Sequence, residues 1–240
     1  MREPTNNDGR LLRGQRSREK VLAAAIQLAS TQGLHGLSFG VLADLVDTPK
    51  SSISALFRTK EKLQLVTVEY AAEVFTEAVI RRVDQSESAA DRLSQLGEYW
   101  FDYLDSDTFE GGCFFLAAAA EMDGRPGAVR DSVVVANRRW LDFLTQAVGD
   151  VFADQHISDQ GSSAAEDVDS NRRSSNLDEE VAEVAFRLNS AGLASNFAKQ
   201  LLGDNRAISR GRRSWQAEVS KLEEVASLKE PDLDNYLNCK

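Results

Sequence analysis

Cysteine is scarce in this chain, with only Cys113 and Cys239 among 240 residues. Two cysteines so far apart exclude a disulfide framework and point to a reducing compartment, the cytoplasm. Histidine is as rare. His35 lies in a turn-like stretch and His156 in a polar one, and no H-E-x-x-H, C-x-x-C, phosphate-loop or G-x-S-x-G pattern occurs. The expectation is therefore no enzyme, with no catalytic residue, metal ligand or cofactor site. No apolar run reaches the ~18 residues that a membrane span needs, and MREPTNNDGRLLRGQ lacks the apolar core of a signal peptide. Proline is sparse too, four against a hydrophobic share of 42%. With few β-branched runs, that composition predicts an all-α protein.

The net charge of −10 argues at first against a nucleic-acid partner, but the charge is unevenly placed. Between Arg10 and Lys62 nine Arg and Lys face four acids, a balance of +5, and residues 63–240 carry −14. A basic head on an acidic body permits phosphate contact at one end and repels DNA elsewhere. Residues 1–16 read as a flexible basic arm. Arg10, Arg13 and Arg16 would either follow a phosphate backbone or belong to a solvated tail.

The basic stretch holds three short helical patterns. Helix 1 is expected from Ser17, a good N-cap, to Gly33, with Val21, Leu22, Ala25, Leu28 and Ala29 inward. Ser38 caps a second helix that buries Val41, Leu42 and Leu45. Asp47 falls where a tight turn needs a left-handed backbone, which aspartate tolerates. Thr48 would then cap helix 3, with Pro49 at its first position. Ile53, Leu56 and Phe57 form the buried face of helix 3, which leaves Lys50, Ser51, Ser52, Ser54 and Arg58 outward. Small and basic side chains on a two-turn helix suit a major groove, where lysine and serine donate to base edges or phosphates. Helix 4 starts after Thr59, with Lys60 and Glu61 in its first turn. This is the pattern of a helix-turn-helix DNA reader over residues 17–62.

The segment from Arg18 to about Tyr70 resembles the TetR family of transcriptional regulators, in the order helix 1, Gly33, Ser38, Ala43, turn, and F-x-x-K-E-x-L at Phe57–Leu63. Two positions depart from the family pattern. Asp47 stands where the family usually has glycine. Ser54 replaces a tyrosine that often contacts phosphate. The resemblance assigns Lys60 and Ser38 to phosphates and turns Thr48, Lys50, Ser51 and Ser52 to the groove. It also implies a double-stranded operator, a homodimer, and a small-molecule effector that releases a repressor from DNA.

Residues 63–230 are the expected ligand-binding and dimerisation body. Leu93, Leu96, Trp100 and Leu104 recur at helical spacing. The piece GGCFFLAAAAEMDGRPG (111–127) is a short apolar helix with glycine and proline flanks, and it resembles a subset of the same family. Glu121 and Asp123 stand at i and i+2, which do not face one another, so they read as surface acids or polar pocket walls. Cys113 reads as a small core residue or a redox sensor. A further helix runs from about 127 to 152, and the Ser- and Asp-rich stretch 154–176 is an expected disordered insertion. The last two helices, about 177–202 and 205–228, would form a four-helix bundle with a second copy. The small residues of Ser190–Ser195 would let the partner backbone approach. Candidates to line an effector pocket are Trp100, Phe114, Phe115, Met122, Trp140, Phe143 and Phe197, with Asn137 and Asn196 as polar handles. The competing reading is an all-helical small-molecule-binding protein, or a helical enzyme, whose head has no DNA role.

Overall fold

The computed structural model describes residues 6–159 and 170–227, all helices and short connections. In order these are α1 (Asn6–Gly36), α2 (Phe39–Val46), α3 (Lys50–Phe57), α4 (Lys60–Phe75), a π-helical turn (Thr76–Ile80), α5 (Ala89–Asp105), α6 (Phe114–Met122), α7 (Ala128–Asp159), α8 (Ser170–Leu202) and α9 (Ala207–Ser227). They fall into two compact units, one of residues 1–76 with 106–137 and one of 77–105 with 138–240. The division does not follow the expected boundary near residue 62, because α6 belongs with the head.

In the first unit, α1 buries Val21, Leu22, Ala25, Ile26, Leu28 and Ala29 as its spacing predicts. Its start does not match. The helix is already formed at Asn6, so Ser17 lies inside it and caps nothing. Extending a nucleated helix through good formers such as Leu11, Leu12 and Gln15 costs little. The expected arm over residues 1–16 is thus helical from Asn6, and residues 1–5 lie outside the described residues. Gly33 breaks α1 at φ 76° and ψ 166°, a backbone that only glycine adopts easily. In α2 the buried side chains are Leu42, Ala43 and Val46, whereas Val41 and Leu45 are exposed. Val41, Leu42, Leu45 and Val46 are all apolar, so the pattern alone left the phase of this short helix open. Phe75, Phe109, Phe114 and Phe115 pack ring against ring, with centroids 5.2–6.2 Å apart.

The second unit is built on three close approaches of glycine to aromatic rings. Gly97 of α5 lies against the Trp215 indole, Gly192 of α8 against Trp100, and Gly211 of α9 against Phe101 and the Ser195 hydroxyl. A side chain at any of these glycines would overlap its neighbour. Gly192 and Ser195, expected to admit a partner, therefore serve packing within the chain, while Leu193 and Ala194 of the same stretch are exposed. Leu93, Leu96, Trp100 and Leu104 of α5 are buried, as are Ile208, Trp215, Val219 and Leu222 of α9. Trp215 Nε1 donates to the Leu93 carbonyl (3.0 Å). Arg187 of α8 donates to Glu218 of α9 (2.6 Å). Burial raises the pKa of Glu218, but the hydrogen bond and charge of Arg187, with Lys221, outweigh it and hold the carboxyl below its ordinary value.

Helices α7 and α8 reach to Asp159 and back to Ser170, inside the stretch expected to be disordered. Each continues by a few turns a helix already packed elsewhere. The remainder of that stretch, 160–169, and Cys239 lie outside the described residues.

Gly192→Ala forces a methyl into the Trp100 ring and is expected to cost about 1–3 kcal/mol of stability, the usual range for overpacking. Urea denaturation measures it, and an unchanged midpoint would contradict the packing.

Candidate nucleic-acid interface

The turn of the head is set by backbone chemistry. Ser38 stands before α2 in an extended conformation, and its hydroxyl accepts from Val41 N (3.2 Å). At the other end Asp47 adopts φ 50°, ψ 57°, the left-handed geometry expected of it. The amide N–H of Asp47 and that of Thr48 (3.0 Å) both donate to the Ala43 carbonyl, closing the helix end. Lys20 of α1 adds its ammonium to the terminal Val46 carbonyl at 2.7 Å, where the helix dipole favours a cation.

Helix α3 differs in one respect from the expectation. Pro49 occupies the capping position and no side chain caps the helix, while the half-buried Thr48 hydroxyl turns back to the Val46 carbonyl (3.3 Å). Ile53 and Phe57 are buried, and the Arg18 guanidinium lies 5.3 Å from the Phe57 ring centroid. Lys50, Ser51 and Ser52 are exposed as expected, and so is Arg58. Ser54 is half-buried, and its hydroxyl donates to the Ser51 carbonyl (3.0 Å), so it is a weaker donor to any outside group. Arg58 ends α3 at φ 64°, a left-handed residue with no glycine to announce it. Thr59 then caps α4, its hydroxyl accepting from Lys62 N (3.0 Å).

Lys60 is exposed, and its ammonium donates to the His35 carbonyl at 2.6 Å. One of its three protons is used there, and two are left for a phosphate. Sequence reasoning missed the other side of this contact. Glu121 of α6 takes the amide protons of Leu34 (2.6 Å) and His35 (2.8 Å), and the His35 ring lies 2.7 Å from it. Glu121 is neither a surface acid nor a pocket wall. The only hint in the sequence is Gly33, and the carboxylate it serves lies 87 residues beyond Leu34.

The pocket candidates divide between the units. Phe114, Phe115 and Met122 are buried in the first, where Asn137 bonds locally to the Val133 carbonyl (2.9 Å). In the second, Trp100 lies 4.8 Å from Trp140, which stacks on Phe143 at 6.5 Å and donates to Asn189 (3.0 Å). Asn196 is buried, but Phe197 is 55% exposed. Phe197 is a quarter-turn from the inward face of α8 marked by Gly192 and Asn196, so it lines no interior. Cys113 is buried just before α6. Among the described residues no cluster of His, Cys, Asp and Glu could hold a metal, and no helix is long and apolar enough to cross a membrane.

Residues 89–166 match the family described as tetracyclin repressor-like, C-terminal domain. No curated protein matches the chain. Among solved structures it is similar to a TetR transcriptional regulator from Chloroflexus aurantiacus (19% identity, TM-score 0.69, 87% of this chain and 96% of that one). It is similar to a TetR-family regulator from Cytophaga hutchinsonii (15%, 0.68, 92% and 98%). A third is a protein from Saccharomonospora viridis in complex with choline (17%, 0.61, 86% and 96%). The fold is that of solved TetR-family regulators.

Asp47→Gly is expected to hold or raise stability by up to ~1 kcal/mol, and Asp47→Val to lower it by about 1–2 kcal/mol, because only glycine is free of strain at positive φ. Denaturant unfolding reads both, and the reverse order would contradict the turn geometry.

Proposed function

We propose that this regulator is a cytoplasmic homodimeric repressor that reads a near-palindromic operator with α3 and leaves it when a small molecule binds the body. The observation that carries the DNA face is the partition of α3. Ile53 and Phe57 are buried, and Lys50, Ser51 and Ser52 stand exposed beside Arg58 and Lys60. Lys50, Ser51 and Ser52 reach base edges in the major groove, with Thr48 and Ser54 at its margin. Ser38, Arg58 and Lys60 take phosphates. A helical binding protein without a DNA role gives no reason for a basic, hydroxyl-rich face on α3.

Dimerisation through the two C-terminal helices is supported by α8. Phe186 (72% exposed), Leu193, Phe197 and Leu201 (69%) recur at intervals of seven, four and four, along one face. An apolar stripe of that length marks a protein contact. The effector site is proposed at the aromatic group of the second unit, Trp100, Trp140 and Phe143, with Asn196 as polar handle. The choline complex of the Saccharomonospora protein supports a small-molecule site in a body of this fold.

Binding of the full-length protein to a labelled duplex from the DNA flanking its own gene should weaken steeply with salt. Lys60→Ala is expected to weaken every duplex about tenfold, whereas Lys50→Ala also changes the sequence preference, as base contacts do. Unchanged affinity in both variants would show the face to be wrong. Phe186→Asp should shift the protein from dimer to monomer in sedimentation, and an intact dimer would rule out the α8 stripe as the contact.

A further inference from the structure

The turn after Gly33 is gripped from two sides. On the amide side, Glu121 Oε2 accepts from Leu34 N at 2.6 Å and Oε1 from His35 N at 2.8 Å. On the carbonyl side, the buried Gln64 amide donates to the Leu34 carbonyl (2.8 Å) and the Lys60 ammonium to that of His35 (2.6 Å). The Leu34–His35 peptide unit thus lies between an anion of α6 and a donor of α4, and the peptide units on either side of it are each held at one end. Anion and donor each polarise the central peptide in the sense that strengthens the other. Gly33 makes the arrangement possible, since its positive φ aims both amides at the carboxylate and a Cβ there would overlap Glu121. Arg125, a donor only, lies 2.9 Å from His35 Nε2. That nitrogen is therefore the acceptor, and Nδ1–H is left to donate to Glu121 at 2.7 Å. The side chain of Glu121 is 17% exposed; its bond to Leu34 N is part-buried, and those to His35 lie at the surface.

We propose that Glu121 is a positioning residue for operator binding: by holding the Leu34–His35 turn it fixes the Lys60 ammonium where it meets a DNA phosphate. The proposal rests on the reading of Lys60 as a phosphate contact. It gives a role to the E-x-D-x-R-P-G segment that the reading helix alone leaves unexplained. Glu121 stands on the C-terminal family domain yet sets a contact of the head.

The test compares full-length wild type, Glu121→Gln, Lys60→Ala and the double variant on the flanking-DNA duplex across a salt series. One lost phosphate contact lowers the slope of log affinity against log salt by about 0.9. Glu121→Gln should show that loss with a fivefold to tenfold weaker affinity, about that of one phosphate contact. The double variant should bind no more weakly than Lys60→Ala, because both act on one contact. A purely structural role would lower the melting temperature but leave the slope at the wild-type value, with effects that add to those of Lys60→Ala, and this overturns the proposal. A wild type that binds no duplex at low salt overturns the Lys60 reading itself. If Glu121→Gln does not fold, amide exchange in the wild type decides. Leu34 and His35 amides more protected on the duplex than off it support the role, and amides that exchange freely in both states overturn it.

Discussion

A carboxylate on two consecutive amides organises the first unit. Glu121 meets the N–H groups of Leu34 and His35 where α1 breaks, and their carbonyls receive Gln64 and Lys60 from the first two turns of α4. Hydrogen bonds to an ionised group are roughly twice as strong as neutral ones. Farther along α1 the same unit adds a second clamp. Gln27 bonds to the Thr108 carbonyl (2.8 Å) and the Glu110 amide (3.0 Å), and Ser30 accepts from Gly111 N (3.1 Å). Gly111 is required there because a Cβ would run into the Ser30 backbone. The segment 106–122, read from sequence as body, is bound to α1 at both ends.

The second unit depends on shape where the first depends on charge. Gly97, Gly192 and Gly211 each accept an aromatic ring from a neighbouring helix, which brings α5, α8 and α9 close enough to bury Trp100, Phe101 and Trp215. Such packing leaves few polar atoms to satisfy. Trp215 and Trp140 both have acceptors, and Trp100 Nε1 is the one buried side-chain donor among the described residues without one. Ion pairs such as Arg187 with Glu218, and Arg212 with Glu98 and Asp102, close the outer edges of the same helices.

What was legible in the sequence was local. Ser38 and Thr59 before their helices, Asp47 as the left-handed residue, Ile53 and Phe57 as the buried side of α3, and the inward stripe of α5 all follow from spacing and backbone preference within a few residues. Errors arose where the answer lay elsewhere in the chain. Val41 and Leu45 looked buried because composition cannot phase an eight-residue apolar helix. The small residues of α8 looked ready for a second copy, but a ring from α5 fills the space at Gly192. Phe197 was assigned inward on residue type, and only the rotation of α8 shows it exposed. Glu121 was invisible for the same reason, since nothing near residue 121 announces two amides at 34 and 35.

The proposed function has α3 carry Lys50, Ser51 and Ser52 into the major groove of an operator. Hydroxyl-radical footprinting of the full-length protein on the DNA flanking its gene tests this most directly. Two heads on one dimer should protect two short tracts on one face of the duplex, about 34–36 Å or one helical turn apart, as paired reading helices do. A single continuous tract, or uniform cleavage under conditions where the protein is a folded dimer, would contradict it.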